Sequence, residues 1–541
     1  MSERLRIRGA RVYDPLNGVD GEVRDVCMED GRIVESLPGN APVQDARGAI
    51  AMPGGVDMHC HIAGPTVNLA RRLQPEDHRD DPHPRRGGLR SGSGGTVPST
   101  STTGYRYAAL GYTTVMEAAV APSGARSAHA ELAATPIVDR GLYVLMANHE
   151  HLLRLIGAGE HERVRDAVAW LLRATKAYAV KVVNPGGVAV WKSRRGDVQD
   201  FDAEVDGLGA TPRTIVQALA RAADELRLPH PAHIHCNHLG VAGNADLTLE
   251  TMRAVDGRRA HFTHLQFHAY GGEPGGRPTS RARDLVEYVN AHPEISVDVG
   301  QVMFGPATAM TADGPVGHLL HRLTGRKWVN LDVELETGCG IVPLEYRDRK
   351  AIHALQWAIG LEIFLLAKDP WRVVLSTDHP NGASFLAYPR LIRLLMDRAF
   401  RDEEVKRANA KGIEGTALAD GLEREYSLYE IAIVTRAAPA KLLGLHERKG
   451  HLGPGADADV TIYDDRSDDR EASFAAPRHV WKGGRAVVRD GELRAETRGR
   501  TLHVSPEHDG EAERGWREFF EAYGTVRFEN FAIADEEIAD G

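Results

Sequence analysis

The sequence predicts an α/β protein: a closed (β/α)8 barrel of TIM-like form, carried on a small β-sandwich that both termini build. Three observations lead there. Eight short apolar runs alternate with amphipathic helical patterns through the middle of the chain. The two ends share a different texture, of short strands and glycine turns. The histidines, 25 in 541 residues, bunch where the apolar runs end.

Residues 1–51 open with RLRIRGARVYD and VRDVCMEDGRIVESL, strand-like runs broken by a DG turn. The texture returns over 446–505, in DADVTIYDD and RHVWKGGRAVVRDGELR. The simplest arrangement is one composite sandwich with the barrel, 52–445, inserted into it. The barrel strands are expected at 52–59, 112–117, 142–147, 178–183, 232–236, 260–264, 295–300 and 372–377. Helices are expected at 161–177, 212–227, 279–291 and 351–367. Alternation of this kind implies a parallel sheet, and eight units imply a closed one. An open doubly wound sheet is the alternative, but no GxGxxG follows an early strand and no P-loop is present, so nucleotide binding has no support.

Composition excludes several classes. Charged residues make up 26% of the chain, near the globular norm. A net charge of −10 argues against a nucleic-acid binder, which concentrates basic residues on one face. The four cysteines (Cys27, Cys60, Cys236, Cys339) form no CxxC pair, which excludes a disulfide scaffold, an iron–sulfur protein and a zinc ribbon. The N-terminus lacks the apolar core of a signal peptide. The most apolar stretch, 358–367, is short and contains Glu362, so no membrane span is expected. A cytoplasmic location follows as the default.

The charge is unevenly placed. Residues 506–541 hold eleven acids and three arginines, a net of −8, so residues 1–505 carry only −2. The same tail holds six of the 33 aromatic residues. A merely solvating acidic tail lacks aromatics. The extension is therefore expected to dock, on a partner subunit or on the chain's own surface.

In a barrel, chemistry sits at the C-terminal ends of the strands. The first run ends HCH, placing His59 and His61 on one side of an extended segment. The fifth ends with His233, His235 and His238, the sixth with His261, His264 and His268, and the eighth with Asp378 and His379. Each cluster alone is compatible with a structural role; four at the strand ends of one barrel point to metal. The fourth run, AYAVKVVNPGG, sets Lys181 inside an apolar strand. A buried ammonium is costly without a partner. An ion pair would meet the cost. So would a carbamate, formed when the neutral amine adds CO2, which offers two oxygens to bridge two metals. One metal would take His59, His61, the carbamate and Asp378, and the other the carbamate, His235 and His264. Nitrogen and oxygen ligands without thiolate suit zinc. Two such ions about 3.5–4 Å apart acidify a bridging water and polarise a carbonyl.

This constellation resembles the amidohydrolase superfamily in its binuclear, carboxylated-lysine subtype. The closing stretch TRAAPAKLLGL (435–445) with KGHLGPGADADVTIYD (449–464) is similar to that superfamily's return to its sandwich. More narrowly, HCHIAGPTVNLARRLQPEDHR (59–79), KVVNPGGVAVWK (181–192), HIHCNHLG (233–240), THLQFHAYGG (263–272), ETGCGIVPLEY (336–346) and STDHPNGASFLAYP (376–389) resemble one branch. That branch comprises the A-type subunit of formylmethanofuran dehydrogenases and the alpha subunit of bacterial formyltransferase/hydrolase complexes, and the likeness spans about 50–450. An Ala- and Arg-rich chain favours the bacterial form.

The resemblance implies hydrolysis of an N-formyl aminomethylfuran coenzyme, of the methanofuran or methylofuran type, to formate and free amine. It implies partner subunits, a formyltransferase and furan-coenzyme-binding subunits, in one-carbon metabolism. Asp378 is the expected proton carrier. Asn184, His238 and His268 are candidates for substrate contact or for orienting the ligands. The long connection 65–106, with seven arginines against four acids, is expected to be a solvated loop or a rim that meets the coenzyme tail or a partner. Alternatives are the dehydrogenase counterpart, an amidohydrolase for another amide, and a non-catalytic scaffold subunit.

Overall fold

The computed structural model describes residues 4–194, 196, 198 and 200–538. All eight expected barrel strands are present: β1 (Gly55–Cys60), β2 (Tyr112–Val120), β3 (Asp139–Leu145), β4 (Ala179–Val183), β5 (Ala232–His235), β6 (Ala260–Phe262), β7 (Ile295–Asp298) and β8 (Val373–Val374). Neighbours in sequence are neighbours in the sheet, and every pairing between them is parallel. The sheet closes where Cys60 bridges His379 and the His61 N–H donates to the His379 carbonyl at 2.7 Å. Burial on both faces explains the near-continuous apolar runs: all residues of β1, β4, β5 and β7 are buried.

The helices between strands follow their sequence signals. Pro212–Glu225 starts on a capping box between Thr211 and Thr214, with Pro212 in its first turn, and buries Ile215, Val216, Leu219 and Ala223 at helical spacing. The run read as a first strand at 52–59 is divided. Ala49–Pro53 belongs to the terminal sheet, and β1 begins after Gly54, where a Cβ would fall 2.2 Å from the Thr113 hydroxyl.

Both termini build one nine-stranded sheet. The seam is Ala49–Pro53 antiparallel to Val460–Asp464, in register from Pro53 opposite Val460 to Ala49 opposite Asp464. This sheet has its own core, including Ile7, Val12, Val26, Met28, Val460, Ile462 and Trp481. A buried ion cluster joins it to the barrel: Lys449 lies 2.5 Å from Asp139, at the start of β3, and 3.0 Å from both Asp457 and Asp459. Lys482 lies 2.7 Å from Asp139 and 2.8 Å from Asp459. The chain then returns under the barrel, where Thr501–Leu502 pairs with Arg140 and Gly141 of β3.

The C-terminal helix Gly510–Tyr523 lies on the barrel helix His161–Thr175. Trp516 is fully buried, stacks on Trp170 at 5.1 Å between ring centres and donates its indole N–H to the Ala167 carbonyl. Phe528 and Phe531 stack on the same Trp170. The aromatics of the tail thus face the barrel. Lys176 pairs with Asp535 at 2.5 Å.

Candidate metal centre

The site lies at the C-terminal ends of the strands. His59 is in β1, with His61 just beyond it; Lys181 is central in β4; His235 ends β5; His264 follows β6 by two residues; Asp378 follows β8 by four. Barrel register puts Lys181 opposite His233 and Val183 opposite His235. All six are buried, from 0% exposed for His59 to 7% for His61.

Asp378 is the meeting point. Its Oδ1 lies 3.0 Å from Nε2 of His59 and 3.1 Å from Nε2 of His61. Asn381 donates to the same oxygen at 3.0 Å, and the Asp378 N–H donates to Ser376 Oγ. Burial opposes the charge on Asp378, but the imidazoles of His59 and His61 beside it outweigh burial and hold the carboxyl well below the usual range. On the opposite side, the rings of His235 and His264 stand 4.7 Å apart, and His268 lies 5.2 Å from His235 and 5.3 Å from His264.

The donor set fits metal. Nζ of Lys181, Nε2 of His235, Nδ1 of His264 and both ring nitrogens of His268 are buried with no hydrogen-bond partner. Unpaired buried polar atoms are costly, and so many in one place call for a shared cation. His59, His264 and Asp378 set ligand atoms within 4.8 Å of one another, as do His235, His264 and His268. Two further groups do the same: His59, His233 and Asp298, and, away from the site, Asp139, Asp457 and Asp459, already neutralised by Lys449 and Lys482. Burial drives the His235, His264 and His268 pKa values well below the usual value, so these imidazoles are neutral and free to ligate. Burial likewise lowers Lys181 to about 8, which makes the neutral amine accessible near neutral pH.

Two carboxylates absent from the sequence-based candidates contact two of the predicted ligands. Glu117, in β2, lies 3.1 Å from Nδ1 of His61 and accepts the backbone N–H groups of Ile62 and Ala63. Asp298, at the end of β7, lies 3.1 Å from Nδ1 of His59. Each is a lone acid in an apolar run, the same signal that drew attention to Lys181.

The remaining candidates divide. Asn184 donates to Asp313 at 3.0 Å, and Asp313 in turn lies 3.5 Å from Nε2 of His235. His268 packs against His235 and His264. His238 stands apart, with its Nε2 3.0 Å from the Val198 carbonyl.

Above these residues opens a cavity with about 800 Å3 of atom-free space, its mouth included. His59, His61, Lys181, His235, His264 and Asp378 line its floor. Its walls are apolar, and many belong to an insertion between β7 and β8. That insertion is a three-stranded antiparallel sheet (Gly305–Thr311, Val329–Val333, Thr337–Tyr346) with the helix Gly314–Thr324. Ala309, Val316, Leu319, Leu320 and Tyr346 come from it, and Phe267 faces them from the loop after β6.

Comparison with known proteins agrees with this architecture. The sequence profile of the Amidohydrolase family matches residues 42–488. Protein FwdA of Methanocaldococcus jannaschii is 43% identical, over 98% of this chain and 96% of its own length. The A component of the formyltransferase/hydrolase complex Fhc of Methylorubrum extorquens is 42% identical, with the same coverage of the two chains. A chain in the crystal structure of the Methylorubrum extorquens formyltransferase/hydrolase complex (FhcABCD) with methylofuran superposes with a TM-score of 0.93, at 39% identity, covering 99% of this chain and 98% of that one. Among the described residues, no helix is long and apolar enough to cross a membrane. With the profile spanning most of its length and two relatives above 40% identity over nearly all of it, the chain belongs to the amidohydrolase family.

Proposed function

We propose that this chain is the hydrolytic subunit of a formyltransferase/hydrolase complex, releasing formate from the N-formyl form of a methylofuran- or methanofuran-type coenzyme. The observation that carries the chemistry is the convergence of unpartnered, buried ligand atoms on the floor of one cavity. The substrate class and the partner subunits rest on likeness to the A component of Fhc and to the complex seen with methylofuran. The partners are a formyltransferase and furan-coenzyme-binding subunits.

Two divalent metal ions, zinc by the nature of the donors, fit between His59, His61 and Asp378 on one side and His235 and His264 on the other. Carboxylated by CO2 with loss of one proton, Lys181 would offer an oxygen to each of them. When bound, the metals acidify a water and polarise the formyl carbonyl. The protein's own part is positioning and proton transfer. Asp378 stays ionised, takes a proton from the attacking water and gives it to the departing amine. Glu117 and Asp298 fix the ring orientations of His61 and His59. Asn184 and Asp313 hold the surroundings of His235. The apolar walls receive the furan arm and keep bulk water from the formyl group.

The test is formate release. Purified metal-loaded protein, alone or in its complex, is given an N-formyl aminomethylfuran, a hydantoin and dihydroorotate. Formate and amine in equal amounts from the first, with the others untouched, support the reading. Turnover of a cyclic amide instead would show an amidohydrolase of another specificity.

A further inference from the structure

Asp298 ends β7 without being one of the metal ligands proposed above, and its place in the site is unusual. It is 0% exposed, yet four donors surround its two oxygens. Oδ2 lies 3.1 Å from Nδ1 of His59 and 3.1 Å from Nε2 of His261, and it accepts the Thr263 hydroxyl at 2.7 Å. Oδ1 accepts the backbone N–H of His264 at 2.9 Å. Burial opposes the negative charge, but His59 and His261 outweigh it and keep the carboxyl ionised. His261 is itself anchored, with its Nδ1 2.9 Å from Ser296 Oγ, so the carboxylate is held from outside the ligand set.

The two oxygens serve different ligands in different ways. At His59 the contact is with the ring. An imidazole that donates Nδ1–H to a carboxylate is fixed in one tautomer, with the Nε2 lone pair directed away. That Nε2 is the atom of His59 that faces Asp378. At His264 the contact is with the main chain. His264 sits in the left-handed region at φ +35°, a conformation that a side-chain-bearing residue needs help to hold. The Asp298 acceptor holds it from one side. From the other, Gly300 comes so close that a Cβ there would fall 2.3 Å from the His264 Cβ. Glu117 works differently: its contacts are with His61 and the two residues that follow, all on one side of the centre.

We infer that Asp298 is a positioning residue that couples the two halves of the metal centre, setting the ring of His59 for one metal and the backbone of His264 for the other. The two ions are therefore gained and lost as a pair through this carboxylate. The inference rests on the ligand assignment proposed above.

The experiment is a zinc titration of the full-length protein against a chromophoric chelator, with circular dichroism of the metal-free form to verify folding. Asp298→Asn keeps the shape of the side chain and removes its charge. The expected result is that both ions weaken together, each by about ten- to a hundredfold, while Glu117→Gln weakens one ion only. Two ions bound by Asp298→Asn with wild-type affinity, or loss of one ion alone, would overturn the inference. Should Asp298→Asn not fold, Thr263→Val removes one donor to the carboxylate with little change of shape. A smaller, paired loss is expected there, and unchanged affinity for both ions would overturn the coupling. Failure of the wild-type protein to bind two ions would instead sink the ligand assignment itself, so the two failures are distinguishable.

Discussion

Nε2 of His61 lies 3.1 Å from Oδ1 of Asp378, joining the end of the first barrel strand to the loop after the eighth. The same oxygen faces His59 at 3.0 Å. The barrel therefore closes, chemically as well as topologically, at the group proposed to move the proton.

Asp378→Asn is expected to retain metal largely, because the imidazoles and Lys181 remain, and to lose formamide hydrolysis by about 10²- to 10⁴-fold. Metal content and kcat measured on the same sample check this. Near-wild-type turnover in that variant would remove Asp378 from the proton-transfer role.

Lys181→Ala is expected to lose metal and activity together, since the proposed carbamate would supply a ligand atom to each ion. A short carboxylic acid such as acetate or propionate fits the space left behind and should restore part of both. Full metal loading of the unrescued variant would argue against the bridge.

His61 gives the metal-free protein a distinctive pH response. Burial works against its charge, but Asp378 and Glu117 outweigh burial and raise it to about 9. A folded-state value above the ordinary 6.5 means that its contribution to stability is complete below pH 6.5 and is lost as pH rises through about 9. Metal displaces that proton, so binding should release about one proton from this residue in the same window, and affinity should climb with pH until it closes. Melting curves of the metal-free and loaded forms across the window check both statements. A metal-free form equally stable at both ends would contradict them.

The tail should respond in the opposite direction. His149 and His151 pack against Trp516 and Phe519, and burial lowers their pKa values to about 3 and about 4. Stability from a depressed imidazole is present above pH 6.5 and is lost as pH falls through the folded value. Helix Gly510–Tyr523 should therefore loosen on acidification. Trp516→Ala should cost about 3–5 kcal/mol of local docking. Hydrogen exchange along 510–538 measures both effects. Protection of the tail unchanged by acid would show that these histidines do not control the docking.

Much of this was legible in the residues. Alternation of apolar runs with amphipathic helices marked all eight barrel strands, because parallel strands buried on both faces need unbroken apolar sequence. The clustering was legible wherever residues at strand ends were polar, as at His59, His61, His235, His264 and Asp378. Other features were hidden. Glu117 and Asp298 sit within strands, and nothing in GYTTVMEAAV or EISVDVGQ says which ligand each acid faces. The inserted sheet at 305–346 was hidden as well, since strands such as Val329–Val333 are only half-buried and their pattern is weak. The turn of His238 toward Val198 depends on its left-handed backbone, φ +58°, which no local residue pattern specifies.

The central claim, a binuclear centre bridged by a carboxylated lysine, is tested most directly by a high-resolution crystal structure of metal-loaded protein, with anomalous data at the metal edge. Two anomalous peaks are expected among His59, His61, His235, His264 and Asp378, with planar carboxylate density continuous with Nζ of Lys181 between them. A bare lysine ammonium beside a fully loaded site, or a single peak, would contradict it.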